Sequence, residues 1–220
     1  MDEGYEITEQ VICAAECEHF IQDLCKGAIK RSRAGARHLM THAAVAALAS
    51  DTRLLNLARK ALGYGAVPYR ATLFEKSGDA NWLVVWHQDT ALPLAAHFDY
   101  PEWGPWSEKS GIIYAHAPGW ALERVLALRI HLDASTRDNG PLRVLPGSHA
   151  KGLLKDEDVF ALGATHKYDE CHVGRGGVLA MRPLLVHSSP KALTSDPRRV
   201  IHIEYADSLD LAPGIRLAVA

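Results

Sequence analysis

The chain has 220 residues, of which 48% are hydrophobic and 23% are charged, a composition typical of a single globular domain. Its 24 basic and 26 acidic residues give a formal net charge of -2 and are interspersed. This pattern argues against a nucleic-acid-binding stripe and a basic membrane-binding face. No apolar run reaches the roughly 18 residues of a membrane span, and the acidic start is unlike a secretory signal. We therefore expect a cytoplasmic protein without nucleic-acid or membrane partners.

The four cysteines do not form a metal-binding pattern. Cys13 and Cys17 lie four residues apart on a predicted helix, and Cys25 and Cys171 form no second pair. A zinc site built on thiolates is therefore not expected. The unusual feature of the composition is its 12 histidines, a residue type that binds metals.

The first 65 residues are predicted to be a helical segment. From Thr8 to about Lys30, apolar residues recur at the three- and four-residue spacing of one helix face. A second helix is predicted at Thr41–Ala49. A third follows Ser50-Asp51, either of which can cap its start, and Gly63 stands at the position of a left-handed C-cap.

Beyond Gly65 the hydrophobic period changes from that of a helix to that of a strand. Many short strands separated by turns predict an antiparallel sandwich or barrel, within a core at residues 66–206 followed by a tail at 207–220. Because helices precede strands, the expected fold class is α+β. The predicted strands are Val67–Glu75, Trp82–Trp86, Val125–Leu132, Leu142–Leu145, Cys171–Val173, Val178–Met181, Leu184–Val186 and Val200–Tyr205.

The segment Thr90–Trp120 does not fit a strand pattern. It combines four prolines and three glycines with Phe98, Tyr100, Trp103 and Trp106. A long loop within a compact domain is usually functional. We therefore predict a lid or a wall of the substrate site.

Three side chains in the β-rich part predict a metal site. His87 and Asp89 are two residues apart at the end of a predicted strand, so both point to the same side. His187 ends another apolar run. Two histidines and one carboxylate are the facial triad of non-heme Fe(II) oxygenases, which leaves open positions on the metal. A strand-end histidine bonded to a backbone carbonyl is the alternative for either histidine taken alone.

Residues downstream of His187 strengthen the metal prediction. Arg198 lies 11 residues further on and opens the last predicted strand. A dicarboxylate co-substrate that chelates the metal through its keto-acid end needs a fixed cation for its far carboxylate, and a guanidinium supplies one. The hydroxyl of Ser189 is placed to bind the same carboxylate.

With these motifs, the chain resembles the phytanoyl-CoA dioxygenase-like family of Fe(II)/2-oxoglutarate-dependent oxygenases. The resemblance rests on His87-Gln88-Asp89, on the run NGPLRVLPGSH from Asn139 to His149, and on His187 with Ser189 and Arg198. It covers roughly Val67 to Ala206. It implies a double-stranded β-helix, or jelly roll, that holds Fe(II) and consumes 2-oxoglutarate and O2. His87, Asp89 and His187 then fall on the iron ligands, and Arg198 and Ser189 on the 2-oxoglutarate contacts.

Several residues near these motifs have alternative interpretations. Arg129 contacts 2-oxoglutarate or an anionic substrate if its strand face points inward, and is a solvated cation if it points outward. Arg199 is the rival of Arg198, although the spacing from His187 favours Arg198 under the family comparison. His202 shares the strand face of Arg198 and Glu204 and is either a supporting residue of the site or an ordinary core histidine.

The expected activity is hydroxylation of a small-molecule substrate, with release of succinate and CO2. Hydroxylation is preferred to halogenation because the Asp89 carboxylate leaves no ligand position for a chloride. Two other functions remain open: a cupin-like metalloenzyme that does not use 2-oxoglutarate, and a non-enzymatic jelly-roll binding module. The aromatic residues of the 90–120 segment suit an apolar substrate, whereas Arg129 and Arg143 suit an anion.

Overall fold

The computed structural model describes residues 1–26, 29–32, 34–77 and 80–220. Its helices are α1 (Ala14–Lys26), α2 (Ala43–Ala49), α3 (Thr52–Leu62), α4 (Gly119–Leu122) and α5 (Asp156–Thr165), with 3-10 turns at Leu39–Thr41 and Ser148–Lys151. Its strands are β1 (Tyr5–Thr8), β2 (Arg31–Ser32), β3 (Gly35–Ala36), β4 (Val67–Lys76), β5 (Val84–His87), β6 (Ala91–Leu94), β7 (Trp106–Lys109), β8 (Ile112–His116), β9 (Val125–His131), β10 (Leu142–Val144), β11 (Asp169–Cys171), β12 (Val178–Met181), β13 (His187–Ser189), β14 (Arg198–Ala206), β15 (Asp210–Ala212) and β16 (Ile215–Arg216).

Two antiparallel sheets face each other. The larger sheet has the strand order β1-β12-β9-β14-β4-β3-β2, and the smaller one has the order β11-β10-β13-β5. Every described strand pair is antiparallel. The chain is therefore a mixed fold of helices and antiparallel sheets, as the change of hydrophobic period predicts.

The helices cover the outer face of the larger sheet. Alternate residues of β9 separate the two faces, because Leu128 packs with the helices whereas Ala127 packs inside with residues of the smaller sheet. Tyr205 on β14 is fully buried, and its hydroxyl donates to the carbonyl of Ala49 at 2.9 Å. Packing against the helices therefore fixes which face of the larger sheet points inward.

The N-terminal helices are predicted correctly except for the first one. Asp51 caps α3 by accepting a hydrogen bond from the Arg53 amide at 2.8 Å, and Gly63 ends this helix with φ of 86°. The prediction that a helix begins at Thr8 is wrong, because Tyr5–Thr8 pairs with β12 as an edge strand. Residues 27 and 28, at the end of the predicted helix, lie outside the described residues.

The 90–120 segment is more regular than predicted. Strands β6, β8 and β7 form a sheet of their own in that order. Pro93 therefore lies on an edge strand, where a residue without an N–H group is tolerated. The Phe98 ring packs edge-on against Trp103 and Trp106, with centroid distances of 5.2 and 5.1 Å. These aromatic residues largely contact one another rather than forming an open surface.

Three further predictions differ from the structure. Leu184–Val186 is a turn rather than a strand, since its three apolar residues are buried in three different clusters. Helix α5 lies in a stretch without a predicted element, and Phe160 on it is exposed. The 207–220 tail contains β15 and β16. No helix in the described part of the chain is long and apolar enough to cross a bilayer.

Candidate metal and 2-oxoglutarate site

The three residues of the predicted triad meet between β5 and β13. His87 ends β5 and pairs with His187, the first residue of β13. The Asp89 amide donates to the Pro183 carbonyl at 2.9 Å, which holds the aspartate beside both histidines. One ligand atom from each residue of the triad lies within 4.8 Å of the others.

Backbone contacts fix the orientation of both imidazoles. The Nδ1 atom of His87 lies 2.9 Å from the Val85 carbonyl, and that of His187 lies 2.8 Å from the Leu185 carbonyl. Because a carbonyl can only accept, each Nδ1 carries the hydrogen and donates it. Each Nε2 therefore keeps its lone pair for a metal, and the Nδ1 hydrogen bond is the one that metal-binding histidines usually make.

The distances within the triad suit one divalent ion. His87 Nε2 lies 3.5 Å from Asp89 Oδ1, and His187 Nε2 lies 3.6 Å from Asp89 Oδ2. Adjacent ligands that each sit about 2 Å from one ion are separated by about 3 Å, so a small contraction suffices. Imidazole and carboxylate donors match the ligand preference of Fe(II).

The protonation states agree with this geometry. Burial lowers the pKa of His187 to about 3, so its imidazole is neutral. Burial opposes the charged form of Asp89, but the two neighbouring imidazoles outweigh it and hold the carboxyl pKa well below its usual range. Burial also opposes a charged His87, yet the Asp89 carboxylate raises the pKa of that imidazole. Metal must therefore displace a proton from His87 at low pH.

Gln88 is a supporting residue that the sequence analysis did not identify as functional. Its Nε2 donates to the carbonyls of Gly152 and Leu184 at 2.9 and 2.7 Å, and its Oε1 accepts from the Leu154 amide at 2.9 Å. These bonds tie the residue between His87 and Asp89 to the turn that precedes His187, through Leu184, and to the loop at Gly152 and Leu154. The sequence does contain a sign of this role. Gln88 is a polar residue between two candidate ligands, so it points to the opposite face of the strand.

A cavity of about 100 Å³ opens beside the triad. Arg129 and Arg198 both line it, and their side chains are 7% and 3% exposed. Nε and Nη1 of Arg198 have no hydrogen-bond partner among the described residues, nor has Nε of Arg129. Buried guanidinium groups without partners carry a large desolvation cost, so an anion is the ligand that fits this cavity.

Lys76 is a third buried cation at this cavity, and the sequence analysis did not predict it. It pairs across strands with Arg198 and is 1% exposed. Its Nζ donates to Ser189 Oγ at 2.7 Å and to the Pro190 carbonyl at 2.5 Å. Burial, together with the charges of Arg198 and Arg129, lowers the pKa of this amine to about 7.

Ser189 lines the cavity and is hydrogen-bonded within the protein, while its contact with 2-oxoglutarate stays a prediction. Its hydroxyl donates to the Gly140 carbonyl at 2.9 Å and accepts from Lys76. A serine hydroxyl has one hydrogen, so in this arrangement Ser189 holds Lys76 rather than donating into the cavity.

Of the two neighbouring arginines, Arg198 lines the cavity and Arg199 does not. The Arg199 guanidinium binds Asp133 at 2.7 and 2.9 Å on the other strand face. Arg129 points inward, which is one of the two orientations left open by the sequence. The structure therefore brings His87, Asp89, His187, Arg129, Ser189 and Arg198 to one cavity.

The fold is shared with solved structures of low sequence identity. EctD from S. alaskensis, with 2-oxoglutarate and 5-hydroxyectoine, is 22% identical and superposes with a TM-score of 0.69, over 94% of this chain and 73% of that chain. HygX from Streptomyces hygroscopicus, with nickel and 2-oxoglutarate bound, is 16% identical with a TM-score of 0.68, over 93% and 83%. The non-heme alpha-ketoglutarate-dependent epimerase SnoN from nogalamycin biosynthesis is 16% identical with a TM-score of 0.65, over 94% and 78%.

Sequence comparison identifies the family. No curated protein matches the chain, but residues 2–200 match the phytanoyl-CoA dioxygenase family. The match extends over the N-terminal helices as well as the β-rich core, further than the resemblance in the motifs alone. The chain therefore belongs to the phytanoyl-CoA dioxygenase family and is an Fe(II)/2-oxoglutarate-dependent oxygenase.

Proposed function

We propose that the chain hydroxylates a C–H bond of a small molecule and couples this reaction to the conversion of 2-oxoglutarate and O2 into succinate and CO2. The observation that carries the proposal is the position of the His87, Asp89 and His187 donor atoms on the same cavity as three buried cations. Neither a binding module nor a metalloenzyme that does not use 2-oxoglutarate accounts for the three buried cations.

The metal would be held by the Nε2 atoms of His87 and His187 and by the Asp89 carboxylate. A ferrous ion bound there supplies the redox chemistry with O2 that no amino-acid side chain provides. The protein contributes two imidazoles whose Nδ1 hydrogens are held by backbone carbonyls, and one carboxylate that stays ionised. Three protein ligands leave room for a co-substrate at the same ion.

The far carboxylate of 2-oxoglutarate would bind to Arg198 and Lys76. Arg198 presents two unpartnered N–H groups, and Lys76 is held toward the same space by Ser189. Burial strengthens a charge-assisted bond because the surrounding protein screens it weakly. The dianion would also relieve the repulsion between the two cations, which pair across adjacent strands.

We assign the two facing sheets to the two halves of a jelly roll, with the triad at its open end. Strand pairs β4–β14 and β5–β13 supply the cation and metal-binding sides of the site. Support comes from the uniformly antiparallel pairing and from the similar folds of EctD and HygX. Placing the site between two sheets keeps its ligands on rigid elements.

Two observations favour hydroxylation as the oxidative outcome. The carboxylate ligand Asp89 is present, so no coordination position is vacated for a halide. The similar structure of EctD holds 5-hydroxyectoine, a hydroxylated small molecule. Epimerisation, named for SnoN, is the outcome that product analysis must distinguish.

A succinate-release screen tests the proposal. Purified protein with Fe(II), ascorbate and 2-oxoglutarate is incubated with pools of small metabolites, and succinate and products are measured by mass spectrometry. We expect one pool to raise succinate release above the uncoupled rate and to yield a product with one added oxygen atom. A product of unchanged mass would replace hydroxylation with epimerisation. Asp89→Ala is the inactive control.

A further inference from the structure

The inward faces of β4, β9 and β14 carry a chain of polar side chains that begins at Arg129 and leads away from the cavity. The strand register explains their proximity. His202 on β14 pairs with Arg129 on β9, and Glu204, two residues further on β14, pairs with Arg70 on β4. Because residues two apart on a strand share a face, all four side chains meet on one surface.

The Arg129 guanidinium bonds to His202 in a way that fixes the histidine tautomer. Arg129 Nη1 lies 3.2 Å from His202 Nδ1. A guanidinium can only donate, so Nδ1 is the acceptor and the ring hydrogen is on Nε2. That Nε2 lies 3.2 Å from Glu204 Oε1 and donates to it. The imidazole thus links a carboxylate to a guanidinium.

Glu204 is held rigidly at the far end of this chain. It is 3% exposed, the Tyr69 hydroxyl donates to its Oε2 at 2.7 Å, and Arg70 Nη2 donates to its Oε1. Arg70 also donates to the Ala91 carbonyl at 3.1 Å, two residues beyond Asp89. The orientation of Glu204 is therefore determined by bonds to both oxygens.

Arg129 itself has few contacts of its own. His202 is its one side-chain hydrogen-bond partner among the described residues, and its guanidinium lies over the Phe74 ring at 5.3 Å. No carboxylate lies within 4.0 Å of it in the described ranges. A buried guanidinium that faces a cavity and is held by a neutral imidazole remains available for an anion.

We propose that Glu204 and His202 are positioning residues that present Arg129 to a carboxylate of 2-oxoglutarate. The inference rests on the proposed function and adds a third cationic contact to those at Arg198 and Lys76. Glu204 orients His202, His202 orients Arg129, and Arg129 binds the co-substrate. The relay also connects the co-substrate cavity to the segment that carries Asp89, through Arg70.

The test measures 2-oxoglutarate binding in His202 variants. Anaerobic Fe(II)-loaded protein is titrated with 2-oxoglutarate, and the visible charge-transfer band of the iron–keto-acid complex gives Kd. We expect His202→Leu, which removes the acceptor for Arg129, to raise Kd about tenfold or more. His202→Asn places an oxygen near the Nδ1 position and should recover most of the affinity. Co(II) affinity, measured separately, should stay unchanged in both variants.

Controls separate positioning from simple loss of structure. His19→Asn changes an exposed histidine of α1 and should leave both affinities at the wild-type value. Glu204→Gln, which keeps the shape but weakens the hold on His202, should raise the 2-oxoglutarate Kd without changing Co(II) affinity. If His202→Leu does not fold, the Glu204→Gln and His202→Asn results decide the question.

Two results would overturn the inference. One is an unchanged 2-oxoglutarate Kd in His202→Leu, or in Glu204→Gln where the former does not fold. The other is an equal loss of Co(II) and 2-oxoglutarate affinity, which indicates general damage to the site. A wild-type protein that binds iron but no 2-oxoglutarate would instead overturn the proposed function.

Discussion

Each histidine of the proposed metal site is oriented by a carbonyl two residues before it. The Val85 and Leu185 carbonyls accept the Nδ1 hydrogens of His87 and His187, so the backbone itself sets the side-chain tautomer. The two-residue spacing of His87 and Asp89 was enough to predict a shared strand face. That His187 opens its strand rather than ending one could not be read from an apolar run alone.

Removal of the carboxylate tests the triad most simply. We predict that Asp89→Ala abolishes retention of Fe(II) or Co(II), since two imidazoles without a charged ligand bind a divalent ion much more weakly. Metal titration and circular dichroism check the affinity and the fold. Asp196→Ala, at an exposed aspartate, is the matched control and should bind metal normally. Full metal binding by Asp89→Ala would remove Asp89 from the site.

The two adjacent arginines provide an internal comparison. Arg198→Ala is predicted to weaken 2-oxoglutarate binding by about 2–5 kcal/mol, because a buried pair between the guanidinium and the carboxylate is lost. Arg199→Ala breaks an ion pair to Asp133 outside the cavity and should leave the 2-oxoglutarate Kd nearly unchanged. Isothermal titration of the two variants decides between them. The opposite ranking would show that the assignment is shifted by one residue.

Lys76 makes 2-oxoglutarate binding depend on pH. Burial and the neighbouring Arg198 and Arg129 lower its pKa to about 7, whereas a bound dianion favours the charged amine. Free protein loses this proton as pH rises through 7, so Kd should increase above that pH, by at most about tenfold per unit. Lys76→Met should remove the dependence. A wild-type Kd that is constant from pH 6 to 9 would contradict the assignment.

Among the structural elements, the segment that joins His87 to Asp89 is itself anchored to neighbouring loops. Gln88, just beyond the end of β5, makes one hydrogen bond to Leu184 in the 182–186 turn and two to the loop at Gly152 and Leu154. We predict that Gln88→Leu lowers the free energy of unfolding by about 2–4 kcal/mol, because it leaves buried backbone groups unpaired. Chemical denaturation measures this change, and Co(II) affinity should fall as well. Gln22→Leu, at an exposed position of α1, should change neither the free energy of unfolding nor the Co(II) affinity. Equal effects of both variants would rule out an anchoring role for Gln88.

The elements that sequence patterns predicted best are those whose own side chains decide the structure. Helix α3 has its cap at Asp51 and its stop at Gly63, and β9 and β14 alternate between two faces. The strands of the 90–120 segment were missed because prolines and glycines mask them, and because β6 pairs with residues of β8 about 20 positions away. Strand β1 was missed because its partner, β12, lies over 170 residues away.

At the scale of the whole molecule, the interior between the two sheets is divided in two. One side is an apolar cluster that includes Val144, Leu179 and Leu185, and the other side carries the buried cations and the triad. The α+β class and the triad could be predicted from hydrophobic periods and local spacing. Lys76 and the Arg129–His202–Glu204 chain could not, since strand register alone brings them together.

One titration tests the central claim that a single site holds both Fe(II) and 2-oxoglutarate. Anaerobic wild-type protein is loaded with one equivalent of Fe(II) and then titrated with 2-oxoglutarate while the visible spectrum is recorded. We expect a charge-transfer band that saturates at one 2-oxoglutarate per iron and is absent without iron. Iron-loaded protein that develops no such band and binds no 2-oxoglutarate would contradict it.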